Sequence, residues 1–440
     1  MFRPRKFFRI VTRGDVVSWA IPTLVVLLGG CLSGCAIPNA RPQSPTRDRA
    51  FIEYWPPAPE NHNLRLAVKD LIDMKGVVTT AGSEFLAKHS SPAKRDAACL
   101  AIARQRGVQF VGKTNLSELA VAVSGMNAYY GTPRNPITKG WRLIPGGSSS
   151  GSAVAVANNE ADVALGTDTA GSIRIPAACC GIVGLKTTFG LVPIRGVYPI
   201  APTRLDTVGP MAKDIARTVQ GMDLLEAGFA DRYRRAVAEK GSAREIRVGR
   251  LYIGGTNPSI DQAVDDALAA TGFKVIKLGR DFTDKWSQAQ KDAATVAAVG
   301  AWLYDRKFQN ESEVSIRTKA VVVLGGLEYQ TAYRPALQRQ AAWKAEMRKA
   351  FRKVDFIALP TLKSLPLPMP LFGGTVAFEA RILAVQNTQA VNFAGVPALA
   401  MPVPIAHQNV PASLQLIGPS RSEAALLNAG RLVEEAIPRR

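Results

Sequence analysis

Two glycine turns carry serines close together in the chain: Pro145-Gly146-Gly147-Ser148-Ser149-Ser150-Gly151-Ser152, then Gly166-Thr167-Asp168-Thr169-Ala170-Gly171-Ser172. Upstream, a lysine ends an apolar run, Leu64-Arg65-Leu66-Ala67-Val68-Lys69-Asp70. A serine hydroxyl is a weak nucleophile and needs a base to take its proton. The usual base is histidine, but His62, His89 and His407 all lie away from the two turns. A neutral lysine can serve instead, because burial among apolar groups lowers its pKa. Lys69 follows Leu66-Ala67-Val68 at the end of a strand that reads as buried. The small residues Thr169, Ala170, Gly171 and Ser172 can aim backbone N–H groups at one point. Such donors stabilise a tetrahedral oxyanion, and losing one costs ~2.7–4 kcal/mol. Nucleophile, relay, base and anion hole together make acyl transfer possible.

Competing readings bear on the same residues. Gly107 to Thr114 fits a phosphate-loop spacing, but its interior, Val108-Gln109-Phe110-Val111, reads as a strand. A plain linker does not fit the two turns. Ala153 to Ala157 suits a buried helix, and Ala161 to Leu165 reads as a strand. From these residues alone, an acyl-transfer site and a structural turn stay open as alternatives.

Longer motifs add a family resemblance. Gly146 to Ala157 resembles the GGSSxGSAxAVA hallmark of the amidase signature family of serine amidohydrolases, and Gly166 to Ala177 resembles its GTDTxGSIRIPA hallmark. The similarity runs on through Cys180 to Lys186 and outward to Val68-Lys69-Asp70, Thr80 to Ser83, Val111 to Asn115 and Tyr130 to Pro136. It resumes at Asn392 to Pro397 and Leu414 to Gly418. It is weakest between Ala227 and Asp355.

The resemblance implies roles. Ser172 is the implied nucleophile, Ser148 the relay after a cis peptide bond, and Lys69 the terminal base. The backbone of Thr169, Ala170, Gly171 and Ser172 is the implied oxyanion hole. Lys113 reads as structural, and Asp168 with Arg174 as a buried pair shaping the turn. Ser149 and Ser150 read as support for a helix start. Cys179-Cys180 reads as packing, since no partners have zinc spacing. No cofactor and no metal are expected. Two departures stand out. Ala170 occupies a position where the family usually has glycine, and a positive φ there would strain alanine. Only a Pro-rich stretch, Ile37 to Asn63, precedes the base lysine.

The N-terminus points to the cell envelope. Arg3, Arg5, Lys6, Arg9 and Arg13 precede an apolar run, Val16 to Leu32, and then Leu32-Ser33-Gly34-Cys35. A basic segment, an apolar segment and a small-residue site make a secretory signal. The cysteine resembles a bacterial lipobox, which implies residues 1–34 as signal and lipidation of Cys35. With Ala36 following, the outer membrane facing the periplasm is the expected location. An uncleaved anchor is the alternative. Residues 35–62 are expected as a tether, read as Pro-rich and without apolar periodicity from Pro38 to Pro59, except that Tyr54-Trp55-Pro56-Pro57 can pack on the body.

Composition fits one large enzyme. The 440 residues are 47% hydrophobic and carry a net charge of +20. The first 34 hold five basic residues and one acidic one, so the remainder keeps +16. An exported protein seldom meets nucleic acid, so none is expected as partner; attraction to anionic lipid is the economical reading. An odd set of cysteines gives no disulfide framework, with one bridge to Cys99 conceivable. Segments alternate between helix and strand: Ala97 to Arg106 and Val108 to Gly112; Ile260 to Thr271, capped by Ser259, and Phe273 to Leu278; Gln338 to Lys353 and Phe356 to Leu359. This is α/β. The resemblance implies a single domain over residues 63–440, a mixed central sheet with helices on both sides. The expected activity is hydrolysis of a small-molecule carboxylic amide. Hydrolysis like that of the amide-cleaving subunit of a tRNA amidotransferase, ester cleavage and a non-catalytic scaffold are the alternatives. The acyl pocket is expected to draw on Met126 to Tyr130, the loop after Gly190 and the middle of the chain.

Overall fold

The computed structural model describes residues 42–138, 142–239, 242–370 and 374–438. The segment expected as a signal, residues 1–34, and Cys35 lie outside the described residues. Eleven strands form one sheet: β1 (Phe51–Tyr54), β2 (Arg65–Lys69), β3 (Gln109–Thr114), β4 (Val163–Asp168), β5 (Val183–Lys186), β6 (Thr207–Ala212), β7 (Arg247–Arg250), β8 (Lys274–Lys277), β9 (Phe356–Pro360), β10 (Ala398–Val403) and β11 (Ala412–Ile417). Their order is β1-β3-β2-β4-β6-β5-β10-β11-β9-β7-β8. Strand β2 runs parallel to β3 and β4, and β7 runs parallel to β8 and β9. The other pairings are antiparallel. The sheet is mixed.

Central strands are apolar in both phases of their pleat, as a sheet covered on both faces requires. Leu66, Val68, Val163 and Leu165 face one core with helices Ile215–Asp223, Pro258–Thr271 and Glu423–Ala436. Ala67 and Ala164 face the other side and pack on helices Ser150–Ala157 and Arg174–Cys180. Helix Ser150–Ala157 is built of Ser, Gly, Ala and Val, and helix Arg174–Cys180 turns its small Ala177 and Cys180 to the same core. Further along that face, Ile357, Leu359 and Ile417 meet helices Arg280–Asp305, Tyr333–Phe351 and Gln389–Ala394.

The stretch expected as a tether contributes to the body. Strand β1 closes the sheet edge, with Phe51 opposite Thr114 and Tyr54 opposite Gly112. Phe51 is buried against the Tyr54 ring at 4.9 Å, and Trp55 packs on the main core. The apolar side chains of a short segment found an open strand edge, which is why the body begins upstream of residue 63. The helix start at Pro258–Thr271 also differs from expectation. Asn257, not Ser259, caps it by accepting the Ser259 N–H, with Pro258 in the first turn. Ala97 to Arg106 is a 3₁₀ turn, Ala98–Leu100, running into a short helix, Ala101–Gln105. Cys99, Cys179 and Cys180 are buried free thiols, so the conceivable bridge is not formed. Among the described residues, no helix is long and apolar enough to cross a membrane.

Candidate active site

The sheet delivers Lys69 and Asp168 to one edge, because they end the parallel strands β2 and β4. The chain leaves β4 through the second glycine turn into helix Arg174–Cys180. The first glycine turn enters helix Ser150–Ala157 beside it. The backbone ties the turns together: Ser149 N donates to Ser172 O at 3.2 Å. Ser149 Oγ donates to Thr167 O at 3.3 Å.

Lys69 Nζ lies 2.7 Å from Ser148 Oγ and 2.8 Å from Thr167 Oγ1. Both partners are uncharged. Lys69 is fully buried. Burial pushes its pKa well below the ordinary lysine value, against the pull of Asp168 and Asp206. The bond between Gly147 and Ser148 is cis. Gly147 N donates to Val123 O at 2.7 Å, and Ser148 O accepts from Ser117 N and Ser150 N. A Cβ on Gly147 would strike the Gly125 backbone, so only glycine allows this approach.

The second turn is held from both sides. Asp168 accepts from the amides of Gly171 at 2.8 Å and Ile173 at 3.2 Å, and from the fork of Arg174 at 3.0 and 2.9 Å. Burial opposes the carboxylate, but the Arg174 charge and hydrogen bonds, Lys186 and Asn392 hold its pKa down at about 2. Arg174 also donates to Thr388 O, Gln415 Oε1 and Asn392 Oδ1. On the outer side, Thr388 Oγ1 lies 2.6 Å from Ala170 O. Thr169 Oγ1 donates to Asp206, which also accepts the amides of Ile200 and Ala201. Burial raises the Asp206 carboxyl despite these bonds.

The four amides expected as an anion hole divide. Those of Thr169, Ala170 and Ser172 have no protein acceptor among the described residues. The Gly171 amide is engaged by Asp168, so it is a constraint on the turn rather than an open donor. Ala170 does not have a positive φ; Gly171, at +131°, takes the strained conformation. The alanine departure therefore costs no backbone strain.

Other singled-out residues lie around this centre. Lys113 pairs with Asp70 at 2.9 Å and donates to Ile72 O, a buried brace that does not bond Lys69 or either turn serine. Ser149 is the N-cap residue of helix Ser150–Ala157, without a side-chain cap bond. Cys180 Sγ lies against Pro145 O. Gly125 backs onto Gly146 of the first turn, and Ile200 and Ala201, in the loop after Gly190, bond Asp206 beside Thr169.

Sequence reasoning assigned no role to Thr167, Asp206, Thr388 or Glu379. Glu379 sits on helix Val376–Val385 and accepts from Val123 N at 3.1 Å, Ser124 N at 3.0 Å and Ser124 Oγ at 2.5 Å. Arg317 pairs with it at 3.4 Å and donates to Met126 O at 2.6 Å. Together they clamp the loop whose Val123 carbonyl holds Gly147. Thr167 lies inside the second glycine-turn motif; the other three carry no local signal. A cavity of about 450 Å³ near Phe229, Arg232 and Arg421 shares none of these residues.

Comparison with known proteins agrees with the geometry. The amidase family model matches residues 56–427. The chain is 32% identical to a glutamyl-tRNA(Gln) amidotransferase subunit from Natronomonas pharaonis, over 83% of this chain and 93% of that one. It is also 32% identical to the 2-amino-5-chloromuconic acid deaminase of Comamonas testosteroni, over 85% and 81%. A solved structure from a vestigial protein complex, linked to the origins of an s-triazine catabolic enzyme, superposes with a TM-score of 0.75 at 27% identity, covering 86% and 84%. Its motifs, its helix-covered mixed sheet and these matches make the chain a member of the amidase signature family, enzymes that hydrolyse amide bonds.

Proposed function

We propose that the protein hydrolyses a small carboxylic amide through an acyl-enzyme on Ser172. The contact between Lys69 and Ser148, buried and free of ion pairing, carries this reading. A neutral Lys69 donates to Thr167 and keeps its lone pair for the Ser148 proton. Ser148 then takes the Ser172 proton as Ser172 Oγ bonds to the carbonyl carbon. The oxyanion forms against the amides of Thr169, Ala170 and Ser172, where fixed donors need no reorganisation. Collapse breaks the C–N bond, and the leaving nitrogen receives its proton back through Ser148. Water then attacks the acyl carbon by the same relay and frees the acid and Ser172. No step calls on a cofactor or metal.

The N-terminal pattern supports a lipid anchor at Cys35 that holds the enzyme at the envelope. The names of several relatives favour a second reading, amide hydrolysis within an amidotransferase-like complex. One experiment addresses both. Ammonia release from aliphatic, aryl and peptide amides and from glutamine is followed with the chain lacking residues 1–35, alongside fluorophosphonate labelling. Turnover and labelling that vanish in Ser172→Ala support the hydrolase. Turnover on glutamine alone favours the second reading. Silence on every amide, with no labelling, sinks both.

A further inference from the structure

Eleven large hydrophobic side chains stand exposed among the described residues, and eight lie on three adjoining helices. The helix Ile316–Thr331 carries most of them. Ile316 is 63% exposed, Val323 49%, Leu324 42% and Leu327 52%. Their spacing, i, i+7, i+8 and i+11, makes one ridge along the helix. The opposite side is spent: Thr318, Val322 and Gly325 are buried, and a Cβ on Gly325 would strike Ala298 O of helix Arg280–Asp305. The helix is therefore apolar on both flanks. A helix of that kind is normally covered on both, and a contiguous apolar ridge marks a contact surface.

We propose that this ridge rests on an anionic phospholipid surface. The surroundings suit that occupant. Lys319 lies beside the ridge on the same helix, and Arg306 and Lys307 precede it. The Arg306 guanidinium lies 4.6 Å from the Trp302 ring, which stacks with Tyr329 at 5.0 Å. Apolar residues flanked by aromatic rings and cations are the pattern of interfacial helices. The net charge of +16 that remains without residues 1–35 complements an acidic headgroup layer. A nucleic acid would find cations here but no use for the Ile, Val and Leu ridge. The face also borders the site, because Arg317 on the same helix holds the Met126 carbonyl. The contact is independent of Cys35 and of the hydrolytic reading.

The test uses the chain lacking residues 1–35, since residues 42–438 contain the whole sheet and its cores. It is sedimented with vesicles of phosphatidylethanolamine and phosphatidylglycerol, and separately of phosphatidylcholine. Binding to the anionic vesicles is expected. It should weaken at least about tenfold in the double variant Val323→Ser and Leu327→Ser, which removes buried CH₂ groups without changing charge. A second measurement guards against misfolding: an environment-sensitive dye on Leu327→Cys should shift to the blue with vesicles, and one on the distant, exposed Gln262→Cys should not. Absence of binding, equal binding by the double variant, or a dye at Leu327→Cys that does not respond would overturn the proposal. So would a wild-type dimer in sedimentation velocity that the double variant dissolves, since a second copy would then cover the ridge.

Discussion

Lys69 Nζ lies 2.7 Å from Ser148 Oγ and forms no ion pair among the described residues. A lysine held this way is kept neutral by burial rather than tuned by a charged partner in contact with it. Activity should fall as pH drops through the depressed Lys69 pKa and should not require pH near the ordinary lysine value of 10.5. Between those two values the unfolded chain binds a proton that the native state lacks, so this residue's contribution to stability rises with pH across that window. Lys69→Met should lower kcat by about 10²–10⁴-fold and flatten that part of the stability profile. A variant that keeps the wild-type pH–rate limb would remove Lys69 from the relay.

Ser148→Ala and Ser172→Ala separate the two hydroxyls. Loss of Ser172 should abolish fluorophosphonate labelling. Loss of Ser148 should leave the nucleophile in place but slow labelling by about 10²–10⁴-fold, since the proton path is cut. Labelling rates followed by intact mass would show which serine carries the adduct.

Asp168 and Arg174 are both fully buried and bonded through the guanidinium fork. Removing one partner leaves a charge without compensation, at a cost of about 3–5 kcal/mol. Arg174→Met should therefore lower Tm and activity together. Arg174→Lys should rescue little, because an ammonium cannot reproduce the fork. Calorimetry of the two variants is the check.

Glu379 is expected to act through Ser148 without touching substrate. Glu379→Ala should lower kcat while leaving KM almost unchanged, by removing the acceptor for the Val123 and Ser124 amides. Glu379→Gln keeps one acceptor oxygen and should recover part of the loss. A KM effect alone would make Glu379 a substrate-binding group rather than a positioning one.

Gly171→Ala should be severe and Ala170→Gly mild. Gly171 has φ +131° and its Cβ would strike Thr388 Oγ1; Ala170 has no positive φ. Comparable kcat values for the two variants would contradict this geometry.

The contrast between these neighbours shows what the sequence could disclose. The Ser148 and Ser172 turns are contiguous motifs, and Lys69 ends an apolar run, so residue order alone marks them. Ala170 looked like a liability because motif comparison carries no φ; the strain sits one residue on. Thr388 meets Ala170 across 218 residues, and Glu379 meets Ser124 across 255. Neither has a local pattern, because what defines each is a partner brought up by the sheet. The α/β alternation was legible from periodicity, but the strand order was not. Strand β1 reads as tether in the sequence because four residues near prolines are too short to show a period.

The hub around Asp168 has a temporal consequence. Arg174 draws its acceptors from Thr388, Asn392 and Gln415, and these come late in synthesis. Long-range contacts of this kind form only after the intervening chain has closed its loop. The turn that carries Ser172 is thus completed by residues 214 to 241 positions downstream of Arg174. A polypeptide that stops before residue 388 carries Lys69, Ser148 and Ser172 but lacks these acceptors, so its second glycine turn is expected to stay unset.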